Sequence, residues 1–118
     1  MVDSLSTFAY AGKAMQREVL KGHLDLLLLA TVAEEPAHGY LVVERLRERT
    51  GGELDLAEGT VYPALYRLER QGLLESAWAT AGGRRRRVYR LTRRGREELS
   101  AKRSDWKRFS RAVGAVIA

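Results

Sequence analysis

The stretch LDLAEGTVYPALYRLERQGLLESAWATAGGRRRRVYRLT, residues 54–92, decides the fold of this chain. Around its start, the residues Glu53–Leu56 alternate between polar and apolar, which predicts a short strand beside a hairpin sheet. A helix is predicted from Glu58, because apolar residues recur at helical spacing and form an inward stripe of Val61, Leu65, Leu68 and Leu73. The opposite side of the helix carries groups that suit phosphates and base edges: Thr60, Tyr62, Tyr66, Arg67 and Arg70.

A hairpin is predicted directly after this helix. Leu73–Trp78 predicts one strand, Ala81–Gly83 a flexible turn, and Val88–Leu91 the returning strand. The four consecutive arginines Arg84–Arg87 are then expected at the hairpin tip. A helix followed by a hairpin with a cationic tip is typical of a DNA-binding unit, since the helix enters a major groove while the tip lies along neighbouring phosphates.

Three motifs carry a more specific resemblance. HGY (His38–Tyr40), EGTVYPALYRLERQGLL (Glu58–Leu74) and GRRRRVYRLT (Gly83–Thr92) resemble, in order and spacing, the PadR family of bacterial transcriptional regulators. The resemblance covers roughly residues 20–117. It implies a winged helix-turn-helix protein that dimerises through a C-terminal helix, binds a palindromic operator and usually represses. The short segment after Thr92 is similar to the branch of the family with a single C-terminal helix.

The expected fold is mainly α, with a small antiparallel β wing. Residues 1–19 are predicted to form an N-terminal helix that packs at a dimer interface, because apolar residues between Leu5 and Val19 lie near one helical face. Residues 20–92 are predicted to form the winged helix-turn-helix DNA-binding domain. Residues 93–118 are predicted to supply a C-terminal dimerisation helix.

Two further helices are predicted within residues 20–92. The segment Gly22–Ala33 is apolar on most sides, and Pro36 closes it because the residue before a proline avoids helical geometry. The segment His38–Thr50 keeps apolar residues inward and charged residues outward. It is expected to end at Gly51–Gly52, since glycine readily adopts the left-handed conformation that stops a helix.

The last segment, Arg93–Ile117, is predicted to be one long helix with an apolar seam. Leu99, Trp106 and Val113 recur every seven residues, and Phe109 and Val116 follow the last two by three. A helix that protrudes from the winged unit cannot bury such a seam alone, which predicts a homodimer. The predicted dimer interface comprises Phe8, Met15, Leu99, Trp106, Phe109 and Val113.

The predicted DNA contacts come from three places in the chain: Tyr40, Thr60, Tyr62, Tyr66, Arg67, Arg70, Arg84, Arg85 and Arg86. Residues in the first half of a recognition helix reach bases, so Thr60 and Tyr62 are candidates for base contacts or for positioning on phosphate. Residues further along, Tyr66, Arg67 and Arg70, are candidates for phosphate or guanine.

Some of these residues have alternative roles. The hydroxyl of Tyr40, at the start of the second helix, is expected to donate to a phosphate. Tyr62 and Tyr66 could instead be core aromatics, because each has an apolar body with a polar tip. Arg67 could pair with Glu69 or Glu44, which would be a weak surface interaction.

Trp106 is the candidate for ligand binding. A tryptophan on a dimer seam near a two-fold axis meets its symmetry mate, and the two indoles either pack together or leave a slot for a flat aromatic molecule. Proteins of the PadR family commonly respond to phenolic or drug-like compounds, which fits the second arrangement. Dimer packing alone is the alternative, since aromatic stripes at helical spacing are usually core.

The charge distribution supports a polyanionic partner. The chain of 118 residues has a formal net charge of +6. Residues 1–75 carry eight basic and twelve acidic side chains, whereas residues 76–118 carry thirteen basic and three acidic ones. Such asymmetry predicts that the second part faces nucleic acid. A solvated basic face that merely keeps the protein soluble is the alternative.

Several functional classes are disfavoured. The chain has no cysteine and only two histidines, His23 and His38, so neither a thiol nucleophile nor a metal cluster is expected. No catalytic motif or phosphate-binding glycine loop is evident, so we expect neither an enzyme nor a cofactor. The apolar run Leu24–Val32 is too short to span a bilayer and no signal peptide is evident, which predicts a cytoplasmic protein without a membrane partner.

The sequence therefore predicts a homodimeric, ligand-responsive repressor whose partners are double-stranded DNA, a second copy of itself and a small aromatic or drug-like effector. Two alternatives remain. The first is a winged-helix module that binds protein through apolar patches, although the wing arginines argue against it. The second is an architectural DNA-binding or RNA-binding protein that has no effector.

Overall fold

A computed structural model describes residue 20 and residues 22–118 of the chain. The elements in chain order are α1 (Leu24–Glu34), α2 (Gly39–Arg49), α3 (Glu58–Arg70), β1 (Leu74–Ala81), β2 (Arg84–Leu91) and α4 (Arg93–Ile117). The mainly α fold with a small antiparallel wing is confirmed. The predicted N-terminal helix Leu5–Val19, including Phe8 and Met15, lies outside the described residues.

One apolar core joins the helices to the base of the hairpin. Three residues of the predicted inward stripe, Val61, Leu65 and Leu68, are buried on α3 and pack with residues of α1 and α2. The fourth, Leu73, is also buried, but it follows the end of the helix. The largest fully buried side chains are Leu28, Leu29, Leu65, Leu68, Leu74, Val32, Val42 and Val61. Because the apolar face of α3 is buried in this core, its polar face lies at the surface.

The hairpin is longer than its sequence pattern predicted. The register runs from Leu74 opposite Leu91 to Ala81 opposite Arg84, and Gly82 and Gly83 have φ angles of +60° and +75°. Two such residues make a tight turn that lets the strands pair up to the turn itself. The predicted placement of Arg84–Arg87 at the tip is therefore wrong, because these residues lie along β2 and the two glycines form the tip.

The predicted strand at Glu53–Leu56 is also wrong. These residues have no regular secondary structure, although Leu56 is buried. The free edge of β2 is met by Ala37 instead, whose N–H donates to the Tyr89 carbonyl at 3.0 Å and whose carbonyl accepts from the Tyr89 N–H at 2.9 Å. The alternation of polar and apolar residues correctly predicted that Leu56 is buried, but it did not indicate which backbone segment would pair with the hairpin.

Helix α2 has the ends that its sequence predicted. His38 caps the N-terminus, where its Nδ1 accepts from the Leu41 N–H at 3.2 Å. Gly51 and Gly52 follow the helix with φ angles of +60° and +88°. Burial lowers the pKa of His38 below that of an ordinary imidazole, and the positive charge of Arg86 lowers it further. The cap therefore depends on a neutral histidine.

Acidification should weaken this cap. A histidine with a lowered pKa in the folded state binds fewer protons than in the unfolded state, so its contribution is present above the unfolded pKa of about 6.5 and is lost as pH falls through the folded pKa. Asn is a good N-cap without a titratable group. We expect His38→Asn to reduce the loss of unfolding free energy between pH 7 and pH 5, as measured by urea denaturation. An unchanged pH dependence would contradict this role for His38.

Helix α4 begins on the turn between α3 and β1. The Thr92 hydroxyl accepts from the Gly95 N–H at 3.0 Å and donates to the Gly72 carbonyl at 2.7 Å. Leu99 is only 4% exposed and belongs to the core of its own subunit, so it offers little surface to a partner. Beyond it the apolar side chains of α4 are exposed: Trp106, Phe109, Val113, Val116 and Ile117. None of the helices that the structure describes is long and apolar enough to cross a membrane.

Candidate nucleic-acid interface

The outer face of α3 is open to solvent. Thr60, Tyr66 and Arg70 are exposed, and the Arg70 guanidinium lies 5.9 Å from the centre of the Tyr66 ring. Tyr66 is 57% exposed and Tyr62 is 41% exposed, so neither is a core aromatic. Together these residues present hydroxyl and guanidinium groups along the length of the helix, from Thr60 in its first turn to Arg70 at its end, and such groups contact bases and phosphates.

The start of α2 packs against α3 through a glycine. A Cβ atom added at Gly39 would lie 2.5 Å from a ring carbon of Tyr62. The absence of a side chain at Gly39 therefore lets the Tyr62 ring rest on the α2 backbone. This contact holds the aromatic ring in one place while its other side remains at the surface.

Arg67 is occupied by an ion pair within the subunit. Its Nη1 and Nη2 atoms donate to the two carboxylate oxygens of Asp25 at 3.1 and 2.5 Å, and this hydrogen bonding raises the pKa of Arg67. The sequence had suggested Glu69 or Glu44 as the partner of Arg67, but its partner in the structure is Asp25. Both side chains keep some exposure, so the pair contributes at most about 1 kcal/mol, but its two-pronged geometry ties α3 to the first turn of α1.

The wing meets the start of α2. The guanidinium of Arg86 lies 5.9 Å from the centre of the Tyr40 ring, and its Nε donates to the Ala81 carbonyl at 3.3 Å. The Tyr40 ring also stacks on His38 with their centres 6.5 Å apart and their planes at 7°. Two predicted DNA contacts from distant parts of the sequence, Tyr40 and Arg86, are thus neighbours.

Trp78 is a surface residue of the wing whose position sequence reasoning did not use. It is 56% exposed and lies directly across from Arg87 in the hairpin. The guanidinium groups of Arg85 and Arg87 lie 5.3 and 5.6 Å from its ring centre, within the range of cation–π attraction. The signal was present in the sequence, because a two-glycine turn sets the register that places these residues opposite each other.

The wing is also held to α3 by polar contacts. The Ser76 hydroxyl donates to Glu69 at 2.6 Å and accepts from the Arg87 Nε at 2.7 Å, while an Arg87 Nη2 lies 3.5 Å from Glu69. Because side chains alternate along a strand, Arg85 and Arg87 share one face and Arg84 and Arg86 the other. Only the first pair faces the tryptophan.

The aromatic residues of α4 have a partner within the subunit. The His23 ring meets Trp106 edge-on with centres 5.1 Å apart, and Phe109 lies 6.5 Å from His23. Trp106 is still 42% exposed and Phe109 57% exposed. The contact between His23 and Trp106 could not be predicted from the sequence, because the histidine precedes α1 and the tryptophan lies in the last helix.

The chemistry of this surface suits a polyanion. Helix α2, helix α3 and the wing contact one another directly, so their exposed hydroxyl and guanidinium groups are held in fixed relative positions. Across the described residues, no group of three or more histidines and carboxylates is placed to hold a metal ion.

Comparison with known proteins identifies the family to which the chain belongs. The model of the transcriptional regulator PadR-like family matches residues 28–101. A transcriptional regulator of Mycobacterium tuberculosis is 37% identical over 97 residues, which cover 82% of this chain and 88% of the relative. A PadR family regulator structure from Eggerthella lenta is 31% identical with a TM-score of 0.78, covering 95% of this chain and 96% of that one. A regulator structure from Clostridium thermocellum is 26% identical, also with a TM-score of 0.78, over 86% of this chain and 99% of that one. The chain thus belongs to the PadR-like family, and it is a winged helix-turn-helix transcriptional regulator and not an enzyme.

Proposed function

We propose that the protein is a homodimeric, sequence-specific DNA-binding repressor that acts on a palindromic operator and responds to a small ligand. The observation that carries this proposal is the surface on which α3, the start of α2 and the wing meet through Tyr62, Gly39, Tyr40 and Arg86. Its exposed groups are those that contact DNA, and the contacts between them hold the surface in one shape.

On this surface we assign different roles to the two halves of α3. Thr60 and Tyr62, in the first half, contact base edges or position the helix on phosphate, while Tyr66 and Arg70 contact phosphate or guanine. Arg67 positions α3 through Asp25 and is not itself a primary contact. Two subunits would place their α3 helices in major-groove half-sites about 34–36 Å apart, or a multiple of this.

The exposed end of α4 supports the dimer. Its apolar side chains, from Trp106 to Ile117, lie on a helix that extends beyond the core of its own subunit. A contiguous apolar stripe of this kind is typical of an interface, and heptad spacing suits a second copy of the same helix.

The Trp106 region supports the ligand response. The rings of His23 and Trp106 meet edge-on, and Trp106 remains partly exposed. Across a dimer axis, the Trp106 side chain of the second subunit would lie close to this pair. A flat aromatic or drug-like molecule could enter there and change the separation of the two α3 helices. Tryptophan fluorescence of the Trp78→Phe variant should fall as such a compound binds, and equal operator affinity across a broad screen of aromatic compounds would contradict the response.

The wing is tested by removing charge. The double change Arg84→Ala and Arg86→Ala should weaken binding to all duplexes similarly, because these side chains contact the backbone and not bases. The slope of log affinity against log salt should become shallower by about 0.9 for each phosphate that the variant no longer neutralises. Fluorescence anisotropy with the operator and with random duplex, at several salt concentrations, measures both quantities.

A matched control removes two arginines away from this surface. Arg47 and Arg49, at the end of α2, pair with Asp55 and Glu34, and their replacement by alanine should change DNA affinity far less. Unchanged operator affinity of the wing variant at every salt concentration would exclude the wing from the interface. A wild-type protein that ignores duplex DNA even in dilute buffer would favour a protein-binding role for the fold.

A further inference from the structure

A cleft of about 500 Å³ lies where α1 ends, β2 ends and α4 begins. Its floor is apolar and is formed by Val32, Leu91 and Leu99, which belong to the core. Three arginines line its rim: Arg90, Arg96 and Arg103. Neither the outer face of α3 nor Trp106 contributes to this cleft, so it is separate from both sites described above.

The rim concentrates positive charge on one side of the molecule. Arg96, Leu99 and Arg103 follow the i, i+3, i+7 spacing, so they share one face of α4, with the two arginines about 10 Å apart along the helix axis. Arg90 approaches from β2. Among the residues that the structure describes, no carboxylate lies within ion-pair distance of these three arginines. Seven basic side chains elsewhere do have one: Arg45, Arg47, Arg49, Arg67, Arg87, Arg93 and Lys102.

We propose that this cleft binds an organic anion with a compact apolar body, such as a medium-chain carboxylate. A carboxylate accepts two parallel hydrogen bonds from a guanidinium, and these charge-assisted bonds are the strong ones. The hydrocarbon would cover the exposed apolar surface of Ala33 and Pro36, which line the cleft beside its buried floor. The cleft volume lies within the range of about 300–1,000 Å³ that is usual for small-molecule sites.

The same features exclude other ligand classes. A cation would be repelled by three guanidinium groups, and a neutral apolar molecule would leave them without a partner. A DNA duplex could contact the arginines of the rim through its phosphates, but its backbone has no hydrocarbon group that could occupy the cleft. The pairing of apolar floor and cationic rim therefore favours an amphipathic anion.

Octanoate is the probe for the test, and 1-octanol is its neutral counterpart. The full chain without DNA is titrated with each by calorimetry, and the methyl signals of Val32, Leu91 and Leu99 are followed by NMR. We expect saturable octanoate binding, at least about tenfold tighter than that of octanol because of the charge-assisted hydrogen bonds. The methyl signals of the floor should shift as the site fills.

Two variants locate the site. Arg96→Gln with Arg103→Gln should weaken octanoate binding at least about tenfold, since both rim charges on α4 are removed. Arg93→Gln with Arg108→Gln removes the same charge from the same helix outside the cleft and should change affinity less than about twofold. Ala33→Phe leaves every charge in place but fills the cleft from an exposed position, so it should also abolish binding even if the arginine pair proves necessary for folding.

Three results would overturn the proposal. One is equal affinity for octanoate and octanol, and another is octanoate shifting the signals of His23 and Trp106 instead of those of the floor. The third is an equal loss of affinity in the matched control on α4. Because no DNA is present, failure here leaves the proposed repressor function intact, and failure to bind an operator leaves this site intact.

Discussion

Replacement of Phe109 by glutamate is expected to convert the proposed dimer to a monomer and to weaken operator binding by at least about a hundredfold. Phe109 is largely exposed on α4, with its ring centre 6.3 Å from that of Trp106. On the proposed two-fold seam, a carboxylate at this position would be buried near its symmetry mate, where both desolvation and repulsion oppose association. A monomer engages one half-site at a time and loses the gain in affinity that linkage provides.

The test measures both the oligomeric state of the protein and its affinity for the operator. Sedimentation gives the oligomeric state, and fluorescence anisotropy with a palindromic operator selected from random DNA gives the affinity. Ser104→Glu is the matched control, because Ser104 lies on the side of the helix opposite Trp106, Phe109 and Val113 at 100° per residue. A Phe109→Glu protein that remains a dimer with full operator affinity would show that the seam is not the interface.

Replacement of Gly95 by alanine is expected to destabilise the fold by about 3 kcal/mol. A Cβ atom at this position would overlap the Leu73 carbonyl oxygen, which is backbone and accepts a hydrogen bond from the Thr92 N–H at 3.1 Å. Relief of the clash requires α4 to move away from the turn at Gly72. That movement strains the Thr92 cap and withdraws Leu99 from the core.

Urea denaturation followed by circular dichroism measures the change in unfolding free energy. Gly59→Ala is the matched control, because Gly59 is also helical but a Cβ atom there would meet nothing within 4 Å. It should leave stability unchanged or raise it by a few tenths of a kcal/mol, since alanine favours helix. A Gly95→Ala protein as stable as wild type would show that α4 does not dock on the turn in this way.

Local signals in the sequence determined most element boundaries. Helix α4 spans Arg93–Ile117 as predicted, since a long amphipathic run contains its own hydrogen bonds and needs no partner to define its ends. Helix α2 stops at Gly51–Gly52 because only glycine takes positive φ angles without strain. Three motifs in the right order were sufficient for the family, because each encodes one piece of local structure.

Side-chain roles depended on contacts that no local pattern encodes. Arg67, a predicted DNA contact, forms an ion pair with Asp25, and Leu99, a predicted seam residue, is buried in the core of its own subunit. His23 and Trp106 meet only because α1 and α4 pack together. Periodicity reports which side of an element is apolar, whereas the partner of that side is chosen by residues far away in the chain. The sequence by itself therefore determined the described helices, the wing and the family, and the tertiary structure decided which of the described arginines form ion pairs and which of the described apolar residues are exposed.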